Sequence, residues 1–174
     1  MKPKWSKTVL SVLSIAVIGL LALGLTSTPA FAGSQTANLA VSATIVATCT
    51  INTTPVAFGN YSGTALTYSS GGVSVQCTNG TTYTIALNAG LGTGATVSAR
   101  SMSGPGSPSA QLGYGLYTTS GLSTIWGDGT GSTVTAAGTG NGSSQSYTAY
   151  GQIPAGQYLA PGSYNDTVVA TVTW

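Results

Sequence analysis

The sequence is short of ionisable side chains. Its 174 residues include four lysines and arginines, two aspartates, no histidine and no glutamate. Three of the basic residues, Lys2, Lys4 and Lys7, stand at the N-terminus and leave Arg100 as the only cation further along. Binding through phosphate or headgroup neutralisation needs clustered basic side chains. We therefore expect no nucleic-acid partner and no binding to an anionic membrane surface.

The same scarcity limits catalysis and metal binding. Without histidine, a Ser or Thr hydroxyl lacks its usual activating base, and no carboxylate cluster exists to hold a metal ion. Asp128 and Asp166 are the only carboxylate side chains, and an enzyme would have to use them as a glycosidase-like pair. Both stand in contexts typical of a turn or strand entry. We expect no enzymatic activity and no cofactor, and this aspartate pair is the alternative.

The N-terminus has the pattern of a secretion signal. After the three lysines, an uncharged apolar run extends from Val9 to Leu25, and Ala30-Phe31-Ala32 supplies an A-x-A cleavage site. An uncleaved anchor is the alternative, but the run is at the short limit for a membrane span. We predict a signal peptide over residues 1–32, cleaved at the site formed by Ala30 and Ala32. Membrane contact is then expected only through this signal peptide.

Two cysteines, Cys49 and Cys77, stand in a chain predicted to reach an oxidising compartment. Cysteines in such a compartment commonly pair. A disulfide between them is the prediction, and a free reactive thiol is the alternative.

The rest of the chain is rich in Gly, Thr, Ser and Ala, and no window has the sustained 3.6-residue apolar period of an amphipathic helix. Apolar and polar residues instead alternate in short segments bounded by Gly, Asn and Pro, which predicts an all-β fold. The predicted strands include residues 55–61, 73–77, 81–88, 110–118, 147–153 and 164–174. Asn79-Gly80 between two of them predicts a hairpin turn.

One stretch, Thr36 to Ile51, alternates apolar and polar residues for longer than a single strand usually does. Sixteen residues would extend roughly 50 Å. Two strands explain this length if the second opens the domain and the first is offered to another molecule. The last predicted strand, 164–174, has no following turn, which leaves its outer edge without a neighbour. One long bent strand in a closed monomer is the alternative, and the pattern alone leaves both open.

Several segments together resemble a known family. They are VSATIVATCTI, PVAFGNYSGT, VSVQCTNGTTYTIALNAGLGTGATVSAR, YGLYT, IWGDGTG, YGQIPAGQ and GSYNDTVVATVTW, in this order over nearly all of residues 41–174. The chain resembles the spore coat U domain family, whose members include subunits of archaic, Csu-type chaperone-usher pili.

The resemblance implies an incomplete immunoglobulin-like β-sandwich that lacks its last strand. A periplasmic chaperone would hold it, an outer-membrane usher would export it, and donor-strand exchange with identical or related pilus subunits would complete it. It assigns residues 33–43 to an N-terminal donor segment and 44–174 to the sandwich. The family's disulfide maps onto Cys49 and Cys77. The implied donor residues are Ala37, Leu39, Val41 and Ala43, and the implied acceptor and chaperone-pairing residues are Val168, Ala170, Val172 and Trp174.

The function expected on this basis is that of a structural subunit of a secreted surface fibre, located at the cell surface and serving attachment and biofilm formation. One alternative is a monomeric secreted β-sandwich that binds carbohydrate or another surface. A component of a spore coat is the other. The register between donor and acceptor stays open, since Ile45 fits either the donor or the first strand of the sandwich.

Overall fold

The computed structural model describes residues 31–106 and 108–174. Within these ranges the chain forms strands and no helix, so no helix there could cross a membrane. The strands are β1 (Cys49–Thr54), β2 (Thr67–Cys77), β3 (Thr82–Leu87), β4 (Arg100–Ser103), β5 (Gln111–Tyr117), β6 (Ala136–Thr139), β7 (Gln145–Ile153) and β8 (Ala170–Thr173). The predicted all-β class is confirmed.

The strands form two antiparallel sheets of an immunoglobulin-like sandwich. The first sheet has the order β1-β2-β7-β5-β4 and the second the order β6-β3-β8. These sheets belong to one compact unit, Ala43–Trp174. Strand β8 pairs only with β3, so its other edge has no partner among the described residues.

Side chains from both sheets meet in a single core. Alternation along β5 buries the predicted inner residues Leu112, Tyr114 and Leu116. Trp126, 1% exposed, donates from Nε1 to the carbonyl oxygen of Ile85 at 3.0 Å and from its main-chain N–H to Leu116 at 2.9 Å. Trp126 therefore joins β5 of one sheet, through its main chain, to β3 of the other, through its indole. The remaining buried apolar residues are Val73, Val75, Cys77, Tyr83, Ile85, Leu87, Ala149 and Ile153.

Asn79-Gly80 forms a turn, but the predicted hairpin is wrong. Gly80 has a φ of 80°, and the Thr81 N–H donates to the carbonyl oxygen of Thr78 at 3.1 Å. The strands on either side of the turn lie in different sheets, because β2 pairs with β1 and β7 whereas β3 pairs with β6 and β8. The turn carries the chain across the sandwich, and the local signal could not reveal the distant partners.

Three predicted strand segments differ from the strands observed. Residues 55–61 form no strand, so the edge strand predicted there is wrong, and the predicted strand over 164–174 is limited to β8. Alternation determines which face of a strand is apolar, but a strand also needs a hydrogen-bonded neighbour. Residues 36–48 form no strand either; because this stretch is expected to pair with another molecule, its strand stays a prediction.

The first strand is fastened at its beginning, where the predicted disulfide joins Cys49 to Cys77. These two residues face each other in the β1–β2 register. Beside them, the Thr78 N–H donates to the carbonyl oxygen of Thr48 at 2.9 Å, and the Thr48 N–H donates to Thr78 Oγ1 at 3.1 Å. We call this region, residues 48–49 and 77–78, the closed end of the sandwich.

Candidate binding cleft and unpaired strand edge

Away from the closed end, the edge of the sandwich opens into a cleft of about 400 Å³. One flank is the segment after β1, residues 55–58, and the other is residues 164–170, which lead into β8. Its floor includes Leu87 of the second sheet and Leu116 and Ala149 of the first. Inner-face side chains of both sheets therefore line the cleft.

The second flank has the side-chain pattern of a strand. From residue 164 to 172, even-numbered residues are half-buried and odd-numbered ones are exposed. The half-buried residues Tyr164, Val168 and Ala170 pack against the core and also line the cleft. On the opposite flank, Val56 and Phe58 do the same. Apolar side chains therefore face the cleft from both sides.

The main chain of the second flank is bonded on one side only. Asn165 exchanges hydrogen bonds with Ser103 at 2.9 and 3.0 Å, and Val169 is bonded to the main chain and side chain of Asn88. The N–H and C=O groups of Asp166 and Val168 have no partner in the part of the chain that the structure describes. An edge of this kind can accept a further strand.

A carboxylate holds the second flank in place. Asp166 Oδ2 accepts a 2.5 Å hydrogen bond from the Tyr114 hydroxyl, and Oδ1 accepts from the N–H groups of Leu91 and Thr167 at 2.6 and 2.7 Å. Burial and the hydrogen bond to Asp166 raise the pKa of Tyr114 well above its usual range. Gly90, at a φ of 83°, adjoins this carboxylate so closely that a Cβ would collide with it.

Asp128 has a separate and local role. Its Oδ1 accepts from the Thr130 N–H at 2.9 Å and from the Thr130 hydroxyl at 2.6 Å, within an exposed turn. These hydrogen bonds lower the pKa of Asp128. Asp166 thus makes tertiary bonds to Tyr114 and Leu91, whereas Asp128 bonds only within its own turn. Within the described ranges, no three His, Cys, Asp or Glu side chains lie together as a metal site would require.

Arg100 is a structural residue that the sequence did not single out. It is 2% exposed, and it donates from Nε to the carbonyl oxygen of Asn88 at 2.8 Å. Its Nη2 donates to Leu87 and Trp126 at 3.1 and 2.9 Å. Burial lowers its pKa. The one signal in the sequence was that Arg100 is the only basic residue after position 7. Through its bond to Leu87, the side chain holds the end of β3, where the cleft begins.

The first flank lies close against β2. A Cβ on Gly71 would come within 2.6 Å of the carbonyl oxygens of Thr54 and Pro55, so a glycine is needed there. The Ser69 hydroxyl donates to Ala57 at 2.6 Å. These contacts fix residues 54–57 without a ladder of strand hydrogen bonds, which is why the segment predicted as an edge strand is irregular.

A second cleft of about 860 Å³ continues the first. It lies between residues 56–63 and residues 157–165 and shares Val56, Phe58 and Tyr164 with the first cleft. The Tyr61 hydroxyl donates to the carbonyl oxygen of Pro154 at 2.6 Å and spans the outer end. The opening therefore continues along the edge of the sandwich past Tyr164, between residues 56–63 and residues 157–165.

The four residues predicted for the acceptor strand do not share one environment. Val168 and Ala170 line the cleft. Val172 packs against the core but does not line the cleft. Trp174 is 56% exposed and donates from Nε1 to the carbonyl oxygen of Ala47 at 3.3 Å. The cleft-lining part of this flank thus begins earlier than the predicted set, at Tyr164, and ends within it, at Ala170.

The residues predicted as donors are all exposed. Leu39 and Val41 are 88% and 87% exposed, and Ala37 and Ala43 are exposed as well. None of the four belongs to a strand. Of the predicted cleavage site, Ala30 and the rest of the signal peptide before residue 31 lie outside the described residues.

Comparisons with known proteins place the chain in a family. The Spore Coat Protein U domain model matches residues 35–171. Among curated proteins, Protein U of Myxococcus xanthus is 34% identical over an alignment of 161 residues, and the match covers 84% of this chain and 88% of that protein.

A solved structure shares the fold. It is the crystal structure of the CsuC–CsuE chaperone–tip adhesion subunit pre-assembly complex from the archaic chaperone-usher Csu pili of Acinetobacter baumannii, with a TM-score of 0.54 and 21% identity. The match covers 75% of this chain and 40% of that chain, so this protein spans two fifths of its length. The family match over most of the sequence agrees with the two-sheet fold, and the chain belongs to the Spore Coat Protein U domain family.

Proposed function

We propose that this protein is a structural subunit of a secreted surface fibre, assembled by strand exchange between copies of the chain or related subunits. The observation that carries the proposal is the cleft, with apolar side chains on both flanks, beside an unpaired strand edge, residues 164–170. A second copy would insert its N-terminal segment, residues 33–43, into this cleft. Such a head-to-tail contact repeats without closing and so forms a fibre.

The chemistry of the two surfaces is complementary. The donor segment offers Ala37, Leu39, Val41 and Ala43, which would all lie on one face if the segment became a strand. Burial of Leu39 and Val41 would contribute roughly 3–6 kcal/mol before ordering costs, and main-chain hydrogen bonds would add to this. On the acceptor side, Val168 and Ala170 would contact the donor, whereas Val172 and Trp174 would serve the chaperone-pairing strand.

The rest of the proposal follows from this subunit role. The chain would be exported by the signal peptide over residues 1–32, and a periplasmic chaperone would cover the cleft before assembly. An outer-membrane usher would then release the fibre to the cell surface, where it would serve attachment and biofilm formation. The solved structure that shares the fold contains a chaperone bound to a pilus subunit, which supports the chaperone as a partner. No catalytic activity is part of this role.

Two variants test the exchange from opposite sides. Leu39→Asp would place a charge on the buried face of the donor, and Ala170→Trp would fill the acceptor cleft. Each full-length variant is expressed together with a chaperone and an usher of an archaic chaperone-usher pilus, and electrophoresis compares unheated and boiled samples. We expect a ladder from the wild type that collapses on boiling, and no ladder from either variant.

The matched controls change the opposite faces of the same segments. Asn38→Asp and Thr171→Trp carry the same new side chains at exposed positions, and both should still form ladders. Mixing the two defective variants is the decisive step. The Ala170→Trp variant keeps an intact donor and the Leu39→Asp variant an intact cleft, so together they should stop at a dimer. Monomeric wild type, or a ladder from Leu39→Asp, would overturn the proposal.

A coat component is the second candidate, and the name of the family favours it. A fibre that is found on the vegetative cell surface supports the pilus role. Material found only in a spore coat would support the coat role, even if strand exchange joins the subunits there.

A further inference from the structure

The root of the N-terminal segment is held from both sheets. Thr48 is bonded through its main chain to Thr78, which directly follows β2 of the first sheet. Ala47 accepts the indole N–H of Trp174, which directly follows β8 of the second sheet. A segment held at one point can swivel, whereas attachment at two points fixes the direction in which the chain leaves.

Each of the two attachments adjoins a residue that is itself bonded to the sandwich. The disulfide Cys49–Cys77 lies beside the Thr48–Thr78 bonds. Thr173, next to the indole, is paired with Thr84 of β3. Immediately before these residues the fastening ends: Ile45 is 86% exposed, and residues 43–45 make no hydrogen bond to another described residue. The chain therefore changes from hydrogen-bonded to unbonded within two or three residues.

We propose that Trp174 is a positioning residue that clasps the root of the donor segment at Ala47 and thereby sets the angle between successive subunits. This inference rests on the proposed function. It assigns Ile45 to the free donor segment rather than to β1. It also separates Trp174 from the cleft-lining residues, since the indole contacts its own chain's donor root and not the groove that receives a partner.

The substitution Trp174→Phe tests the clasp, because it removes the indole N–H and retains an aromatic ring. In the full-length monomer, hydrogen exchange of the Thr48 amide should become about fivefold faster, the effect of losing one hydrogen bond of about 1 kcal/mol. Val169→Ala is the matched control: Val169 is 51% exposed on the same flank, and its loss should leave this amide unchanged.

The dimer formed by the Leu39→Asp and Ala170→Trp variants gives the second readout. Trp174→Phe is introduced into the Ala170→Trp subunit, whose donor makes the joint, and electron microscopy measures the spread of angles between subunits. We expect a wider spread than with Val169→Ala in the same place. Unchanged exchange and angles, or equal changes in both variants, would overturn the clasp alone. Absence of any dimer would overturn the proposed function.

Discussion

The two ends of the sandwich edge differ in how they are completed. At the closed end, a disulfide and main-chain bonds between Thr48 and Thr78 join β1 to β2. At the other end, which we call the open end, residues 55–58 and 164–170 face each other across a cleft with both apolar and polar lining residues. The chain therefore closes one end with its own bonds, whereas a cleft remains at the other.

Each end contains a tyrosine hydroxyl that bonds to a distant part of the chain. At the closed end, the Tyr83 hydroxyl of β3 bonds to the Tyr147 hydroxyl of β7 at 2.8 Å and so joins the two sheets. At the open end, the Tyr114 hydroxyl of β5 donates to the Asp166 carboxylate at 2.5 Å and so joins the second flank to the first sheet. A hydrogen bond to a carboxylate is stronger than one between two hydroxyls.

The largest expected loss of stability comes from breaking the disulfide of the closed end. Replacing Cys49 and Cys77 with serine opens a loop whose ends are 28 residues apart, and the chain-entropy model assigns it about 3–4 kcal/mol of stability. Urea unfolding of the variant and the oxidised wild type measures the difference. Reduced wild type is the control and should resemble the variant. A loss under about 1 kcal/mol would show that the closed end does not depend on the disulfide.

A smaller effect is expected from loosening the open end. Asp166→Asn weakens three hydrogen bonds at a partly buried carboxylate and should cost about 1–3 kcal/mol. The amides of Leu91 and Thr167 should exchange faster, as measured by hydrogen exchange. Asp128→Asn is the matched control, because that carboxylate serves only an exposed turn, and it should destabilise the protein less than Asp166→Asn. Equal losses would contradict the special role of Asp166.

Much of the sandwich was predictable from local pattern. Alternation identified the inner face of β5, and the oxidising compartment expected for the chain pointed to the Cys49–Cys77 pair. These features depend on neighbouring residues or on chemistry that the sequence states directly. The placement of strands in sheets was not accessible in this way. Asn79-Gly80 has the local form of a hairpin, yet β2 and β3 find their partners far along the chain.

The candidate site was predictable in outline and not in detail. The unpaired final strand pointed to an open edge, but the alternating residues from 164 to 174 gave no sign of where the cleft begins and ends. Burial of Val168 and Ala170 in the cleft, and the bond of Trp174 to Ala47, depend on how closely β1 approaches β8 at each point. The tertiary bonds of Arg100 and Asp166 are likewise invisible to a pattern.

The hydrogen bond between the Tyr83 and Tyr147 hydroxyls makes the closed end sensitive to alkali. Burial, with the hydrogen bond to Tyr147, raises the pKa of Tyr83 from 10.0 to about 12. Between these values the folded protein keeps a proton that the unfolded chain loses. Stability from this group is therefore complete below pH about 10 and declines as the pH rises towards about 12.

The substitution Tyr83→Phe has the smallest expected effect on stability, and it sharpens the comparison between the two ends. Because the pKa of Tyr83 is raised to about 12, the free energy of unfolding of the wild type should fall by less than about 1 kcal/mol by pH 10.5. The phenylalanine variant cannot ionise at this position, so its stability should fall by that much less between pH 8.5 and 10.5. Urea unfolding at the two pH values measures the difference. Because Tyr114 remains in both proteins, an identical decline in both would assign the alkaline sensitivity to the open end instead.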